Sequence, residues 1–247
     1  MDIKRRIPAL ALSSTVLAAA AFAGTTAVAA QDGDATYRVT IANLASGQPL
    51  TPPVVVLHNG KTSIVEAGAP ASEGLGQLAE NGNPQVLVDA LAEDANVAGF
   101  AVGEHPIVAG GIPGAAEVPS VATVEVSGGK DARLISIASM LICTNDGFSI
   151  VHDEKLPKKV GQSAVFRAHA YDAGTELNTE DFANMVPPCQ PLVGISTDDE
   201  GTGESDSALA EGGVISPHPG IAGEADLDVD AHAVAETPAL VVVERIA

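Results

Sequence analysis

The chain has 247 residues and a formal net charge of −20, from 32 acids against 12 bases. A field of that sign repels phosphate backbones, so it argues against a nucleic-acid partner and against a polybasic membrane-surface binder. Aromatic residues make up 3% and tryptophan is absent, so aliphatic Val, Leu and Ile must build the core of one large or two small domains.

The first thirty residues carry the marks of an export signal. Lys4, Arg5 and Arg6 form a basic start, "IPALALSSTVLAAAAFAG" is an apolar run, and "AVAAQD" supplies small residues before a polar beginning. Cleavage is expected after Ala30, with Ala29 the near alternative, and an uncleaved anchor helix stands as the other reading. The Arg5-Arg6 pair leaves the general and twin-arginine export routes both open. No later segment has the ~18 uninterrupted apolar residues that a membrane-spanning helix needs. The mature chain is therefore expected outside the cytoplasm, secreted or in the cell envelope, with no transmembrane segment.

Along the mature chain, Thr36 to Leu44 alternates, with Tyr37, Val39 and Ile41 on one face, and predicts a strand. "VVVLHNG" is a short β-branched run ending in a turn dipeptide, and "TSIVEAG" suggests a return strand. Two short helices follow. "SEGLGQLAENG" places Leu75 and Leu78 one turn apart and stops at Asn81-Gly82. "NPQVLVDALAED" is expected to be capped by Asn83, with Pro84 at its first position and a stripe of Val86, Leu87, Ala90 and Leu91.

Short strands and breakers then return. "VPSVATVEVSGG" alternates, and Leu134 to Cys143 is largely apolar on both alternating sets, which suits a central strand buried on both faces. "FSIVHD" continues after a loop, and Ser163 to Ala170 predicts one further strand. Residues 196–237 contain no lysine or arginine and are rich in acids and glycine, which predicts a long solvated loop or insertion. "ALVVVERIA" closes the chain as a β-branched strand, so the acidic excursion belongs inside a single domain, 31–247. Many short strands separated by turns predict an all-β antiparallel sandwich decorated by short helices.

Few motifs carry chemistry. There is no Walker-type phosphate loop, no GxSxG and no HExxH, and the six histidines are scattered. "DLDVD" (Asp226, Asp228, Asp230) alternates like a calcium loop, but an EF-hand needs Gly at position six and Glu at twelve, where Ala231 and Thr237 stand. The reading preferred there is a strand edge with Leu227 and Val229 on one face. Cys143 and Cys189 are the only cysteines, and in an exported chain one disulfide is the simplest use; two buried thiols or an intermolecular link are the alternatives.

One pair of segments differs. "TNDGF" places Asp146 after a buried strand, and "YDAGTE" places Asp172 and Glu176 around a glycine turn. Three such acids could converge on a hard cation such as Ca²⁺, whose remaining ligands would be carbonyls and waters. Three independent loop acids is the competing reading. The order strand–"SMLICTNDGF"–strand–"YDAGTE", with "GLGQLAENGNPQVL" upstream and "SPHPGI" before the last strand, resembles the spondin N-terminal domain family over roughly Thr36 to Ile246.

That resemblance implies an eight-stranded antiparallel sandwich similar to C2 domains, with one calcium at its loop end. It puts the calcium carboxylates on Asp146, Asp172 and Glu176. Animal members have Asp at the last position, and a tryptophan where Gly147-Phe148 stands here. The function it implies is a secreted, non-enzymatic calcium-binding module that contacts a glycan, lipid or protein at a cell surface or matrix. The alternatives are a calcium-dependent extracellular hydrolase and a structural envelope protein with a calcium staple.

Overall fold

A computed structural model describes residues 34–247, so the export signal expected at 1–30 lies outside the described residues. In chain order the elements are β1 (Ala35–Asn43), β2 (Val54–His58), α1 (Glu73–Asn81), α2 (Gln85–Glu93), β3 (Val97–Val102), β4 (Val121–Gly128), β5 (Leu134–Met140), β6 (Gly147–Lys155), β7 (Ser163–Arg167), β8 (His169–Asp172), α3 (Cys189–Val193), β9 (Ser216–Pro217) and β10 (Ala239–Arg245). They form two sheets, β4-β1-β10-β7 and β3-β2-β5-β6-β8-β9, in which every pairing is antiparallel. The all-β antiparallel sandwich is thus present, with ten strands among the described residues rather than eight.

The alternation in β1 does what period two requires: Tyr37, Val39 and Ile41 are buried against Val55, Leu57, Ile135, Val241 and Val243, and this forms the core between the sheets. The other face of the six-stranded sheet is covered too. Leu75 and Leu78 of α1 and Leu87 of α2 pack on Val54, Val56, Phe148 and Ile150. That second layer explains why β2 is buried at every position and why β5 carries apolar residues on both sides. The closing strand β10 lies inside its sheet, between β1 and β7, although the acidic excursion precedes it.

Several local expectations are corrected. The stretch "TSIVEAG" forms bends and turns, not a strand. The cap of α2 is Pro84, one residue later than expected, although Asn83 Oδ1 still accepts from the Gln85 N–H at 3.0 Å. The central strand ends at Met140, because Leu141 to Asp146 must turn back to open β6; Thr144 Oγ1 accepts the Gly147 N–H at 2.9 Å inside that turn. The strand expected over Ser163 to Ala170 is two strands in different sheets. The buried Ala168 donates to the Ala239 carbonyl at 2.9 Å, and the chain crosses from one sheet to the other there. Alternation continues across such a crossover, so the pattern alone conceals it.

The excursion 196–237 is long, but it is docked at defined points. Ile215, Leu227 and His232 are buried. The Glu180 carboxylate accepts backbone N–H groups from Ala222 (2.5 Å), Gly223 (2.7 Å) and Glu224 (2.8 Å). "DLDVD" is turn rather than strand edge: Leu227 is buried while Val229 is 51% exposed. Cys143 and Cys189 are joined in a disulfide, and Met140, Ile142, Phe182, Met185 and Leu227 pack around it. Among the described residues, no helix is long and apolar enough to cross a membrane.

Candidate metal centre

The β6–β8 register pairs Gly147 with Asp172, so Asp146 and Asp172 arrive side by side at one end of the six-stranded sheet. A side chain at Gly147 would not fit, since a Cβ would lie 2.5 Å from Thr144 Oγ1 and 2.9 Å from His218 Cδ2. Gly174 then turns the chain at φ +67°, where a Cβ would meet the Val214 backbone at 2.6 Å.

That turn wraps the following residues around Asp146. Its Oδ2 accepts the N–H groups of Thr175 (2.7 Å) and Glu176 (3.1 Å) and the Thr175 hydroxyl (3.1 Å). Asp172 Oδ1 accepts from the Gly174 N–H at 2.8 Å, and its Oδ2 accepts from the Asn178 amide at 2.6 Å. Glu176 Oε1 accepts the Asp206 N–H at 3.0 Å, so the acidic excursion closes over this corner; Glu176 also bridges to Ala210.

All three carboxylates are buried, and Asp146 is 0% exposed. Among the described residues, Asp146 Oδ1 has no hydrogen-bond partner. Burial, reinforced by the nearby Asp172 charge, pushes the Asp146 carboxyl up to about 6 in spite of its N–H bonds. Burial also pushes Glu176 up to about 7, helped by the charges of Glu80, Asp146 and Asp206 and opposed by the Asp206 N–H. None of the ion pairs among the described residues involves these acids.

An oxygen-only set of buried acids, one with an orphaned oxygen and none with a basic partner, fits a hard divalent cation. His218 borders the same corner. Its Nδ1 accepts the Gly220 N–H at 3.0 Å, and its buried Nε2 has no partner. In the neutral ring the proton then sits on Nε2, which makes that nitrogen a donor rather than a ligand. Burial holds its pKa below the usual value against the pull of Asp172 and Glu180.

No protein-family model matches this chain, and no curated protein matches it.

The acids whose ligand oxygens all lie within 4.8 Å of one another are a different trio: Asp181, Asp199 and Asp226. Asp181 is half-buried and the other two are exposed. All three already have structural work, Asp199 Oδ2 by accepting the Thr197 hydroxyl at 3.4 Å. Asp181 Oδ1 accepts the Ala183 N–H at 2.8 Å, and Asp226 Oδ2 accepts the Phe182 N–H at 3.0 Å. The trio could hold an ion, and such exposed groups are common without one. Its members come from three irregular segments, so no spacing announces it. Asn178 and Asp206, which fasten the buried acids, also escaped the sequence reading; Asn178 lies close to "YDAGTE", whereas Asp206 carries no local signal.

A Ser–His–Asp cluster does occur elsewhere, where β2, β5 and β6 adjoin. His58 Nε2 lies 3.2 Å from both Ser136 Oγ and Asp153 Oδ1. His58 Nδ1 accepts the Gly60 N–H at 3.3 Å, so the ring donates from Nε2 and cannot take a proton from Ser136. Ser136 is completely buried, and its hydroxyl is engaged with Asp153 at 3.1 Å. The cluster is built as a structural network.

Proposed function

We propose that this protein is an exported, non-enzymatic β-sandwich module that binds calcium through Asp146, Asp172 and Glu176. The observation that carries the reading is the buried, unpartnered Oδ1 of Asp146 beside a second buried carboxylate. A charge so placed is costly unless a cation neutralises it. Calcium accepts irregular sets of carboxylate, carbonyl and water oxygens, whereas magnesium demands a tighter octahedron. The resemblance to the spondin N-terminal domain family supports the same residues, and the two-sheet architecture agrees with it.

A disulfide beside the site suits an oxidising compartment, and a module of this kind would serve adhesion or interaction at a cell surface or matrix. The Ser136–His58–Asp153 cluster, with His58 donating from Nε2, lends the extracellular hydrolase no support. The staple alternative predicts calcium binding without any ligand binding.

Isothermal titration of chelator-stripped protein tests the reading. Calcium is expected to bind at one site with a dissociation constant of about 10⁻⁴–10⁻³ M, as in other extracellular modules, and magnesium to bind far more weakly. An absence of calcium heat, together with a melting temperature indifferent to chelator, overturns it.

A further inference from the structure

The nine lysines and arginines of residues 34–247 are unevenly placed. One end of the six-stranded sheet is marked by the row His58–Leu134–Lys155. The connections 129–133 and 156–162 join the two sheets at that end, where β1 begins and β10 finishes. All nine bases except Arg167 lie there, at the opposite end of the sandwich from Asp146 and Asp172. Acids are present there as well. Glu125 and Glu244 pair with Arg38, while Asp131, Asp153 and Glu154 lie nearby.

The β6–β7 turn is the exception: from Lys155 to Arg167 there are four bases and no acid. Lys155, Lys158, Lys159 and Arg133 are exposed, and none of them has an ion-pair partner among the described residues. The turn itself is held firmly. Gln162 Oε1 accepts the N–H groups of Lys158 (3.0 Å) and Lys159 (3.3 Å). The Arg245 guanidinium donates to the Lys158 carbonyl at 2.7 Å, and the Gly161 N–H donates to the Arg245 carbonyl at 2.8 Å. The Leu156 N–H, bonded to the Arg133 carbonyl at 3.1 Å, brings Arg133 alongside. At the tip, beside Lys159, Val160 is 64% exposed.

We propose that this turn, with Val160 at its tip and Lys155, Lys158, Lys159, Arg133 and Arg245 around it, docks on an anionic phospholipid bilayer. The whole-chain charge argues against such a partner, but the acids responsible are mostly remote. Eight steps along β6, at ~3.3 Å each, separate the turn from the acidic end by ~26 Å, while the screening length at physiological salt is ~8 Å. Each lysine or arginine close to an anionic leaflet is attracted to it. The exposed valine favours a bilayer over a soluble polyanion, because only the bilayer offers an apolar boundary to enter. A turn already fixed by hydrogen bonds loses little freedom on docking. The surface is independent of the cation site.

The test is co-sedimentation of the full exported chain with vesicles of phosphatidylcholine and phosphatidylglycerol, against phosphatidylcholine alone, at physiological salt. The protein is expected to sediment with the anionic vesicles only, equally with calcium and with chelator. Lys158→Glu with Lys159→Glu is expected to lower partitioning at least about thirty-fold, and Val160→Ser about threefold. Arg167→Glu, at the other end, should change it less than about twofold. Melting temperatures close to the unaltered protein's would show that these exposed changes leave the fold intact. Failure to sediment, dependence on calcium, or an equal loss with Arg167→Glu overturns the proposal. So does indifference to Val160→Ser combined with equally tight binding to a sulfated polysaccharide, which would make the turn a polyanion site.

Discussion

Two groups of three acids can be set against each other. Asp181, Asp199 and Asp226 bring their oxygens within 4.8 Å of one another but lie largely in solvent. Asp146, Asp172 and Glu176 form no such tight group, yet all are buried, and two of them hold their protons far more strongly than ordinary carboxyls. Proximity in water costs little, because the high dielectric and salt weaken repulsion to a fraction of a kcal/mol. Burial changes the balance: the charged form loses its hydration, and each neighbouring charge acts through a medium that screens poorly. The pull toward a cation therefore follows desolvation more than spacing.

The largest expected effect comes from Asp146→Asn. Asparagine keeps an oxygen for the Thr175 and Glu176 N–H groups and removes the charge. At pH 7.5 in chelator it should stabilise the protein by on the order of 2–3 kcal/mol, the cost of ionising a carboxyl raised by about two units. It should also abolish the calcium response. Thermal melts with and without chelator check both, and a destabilised, calcium-responsive variant would break the contrast.

The calcium response itself comes next. At ~100-fold excess over its dissociation constant, calcium should add about 2.7 kcal/mol, or roughly 5–10 °C for a chain of this size. Asp172→Asn should remove most of that gain.

The pH profile sharpens the same point. Between about pH 4 and pH 7 the folded, calcium-free protein holds more protons than the unfolded chain, because Asp146 is raised to about 6 and Glu176 to about 7. Stability contributed by these two groups is then full at low pH and falls as pH rises through that window. Calcium should compete with the protons, so its effect on the melt should be large at pH 7.5 and small at pH 5. A calcium increment equal at the two pH values would contradict the assignment.

The smallest effects belong to the exposed trio. Asp181→Asn and Asp226→Asn should each cost at most about 1 kcal/mol, through weakened bonds to the Ala183 and Phe182 N–H groups, and should leave calcium titration unchanged. If calcium binding followed these two substitutions instead, the exposed trio would be the centre.

Much of the fold was legible along the chain. Tyr37, Val39 and Ile41 declared their buried face, the apolar run from Leu134 declared a strand covered on both sides, and the Asn81-Gly82 stop ended α1 where expected. Two of the misreadings share one cause. Alternation through Ala168 conceals a change of sheet, and alternation in "DLDVD" imitates a strand that the Asp228 and His232 bonds fold into a turn instead. At the candidate site the three acids were legible from strand ends and a glycine turn. Asp206, His218 and the orphaned Asp146 oxygen were not, since they exist only once the excursion has folded back.

The sequence by itself determined what depends on near neighbours: which residues alternate, where glycine and proline interrupt, that two lone cysteines could pair, and that the charge is strongly negative. Only the tertiary structure decided what depends on strand order: that Asp146 meets Asp172 across a sheet end, that Asp226 meets Asp181 and Asp199, and that the bases gather at the end away from the buried acids. The reason is the range of the forces that write each pattern. Periodicity follows from backbone geometry over a few residues, whereas convergence and burial follow from non-local pairing, which no local pattern encodes.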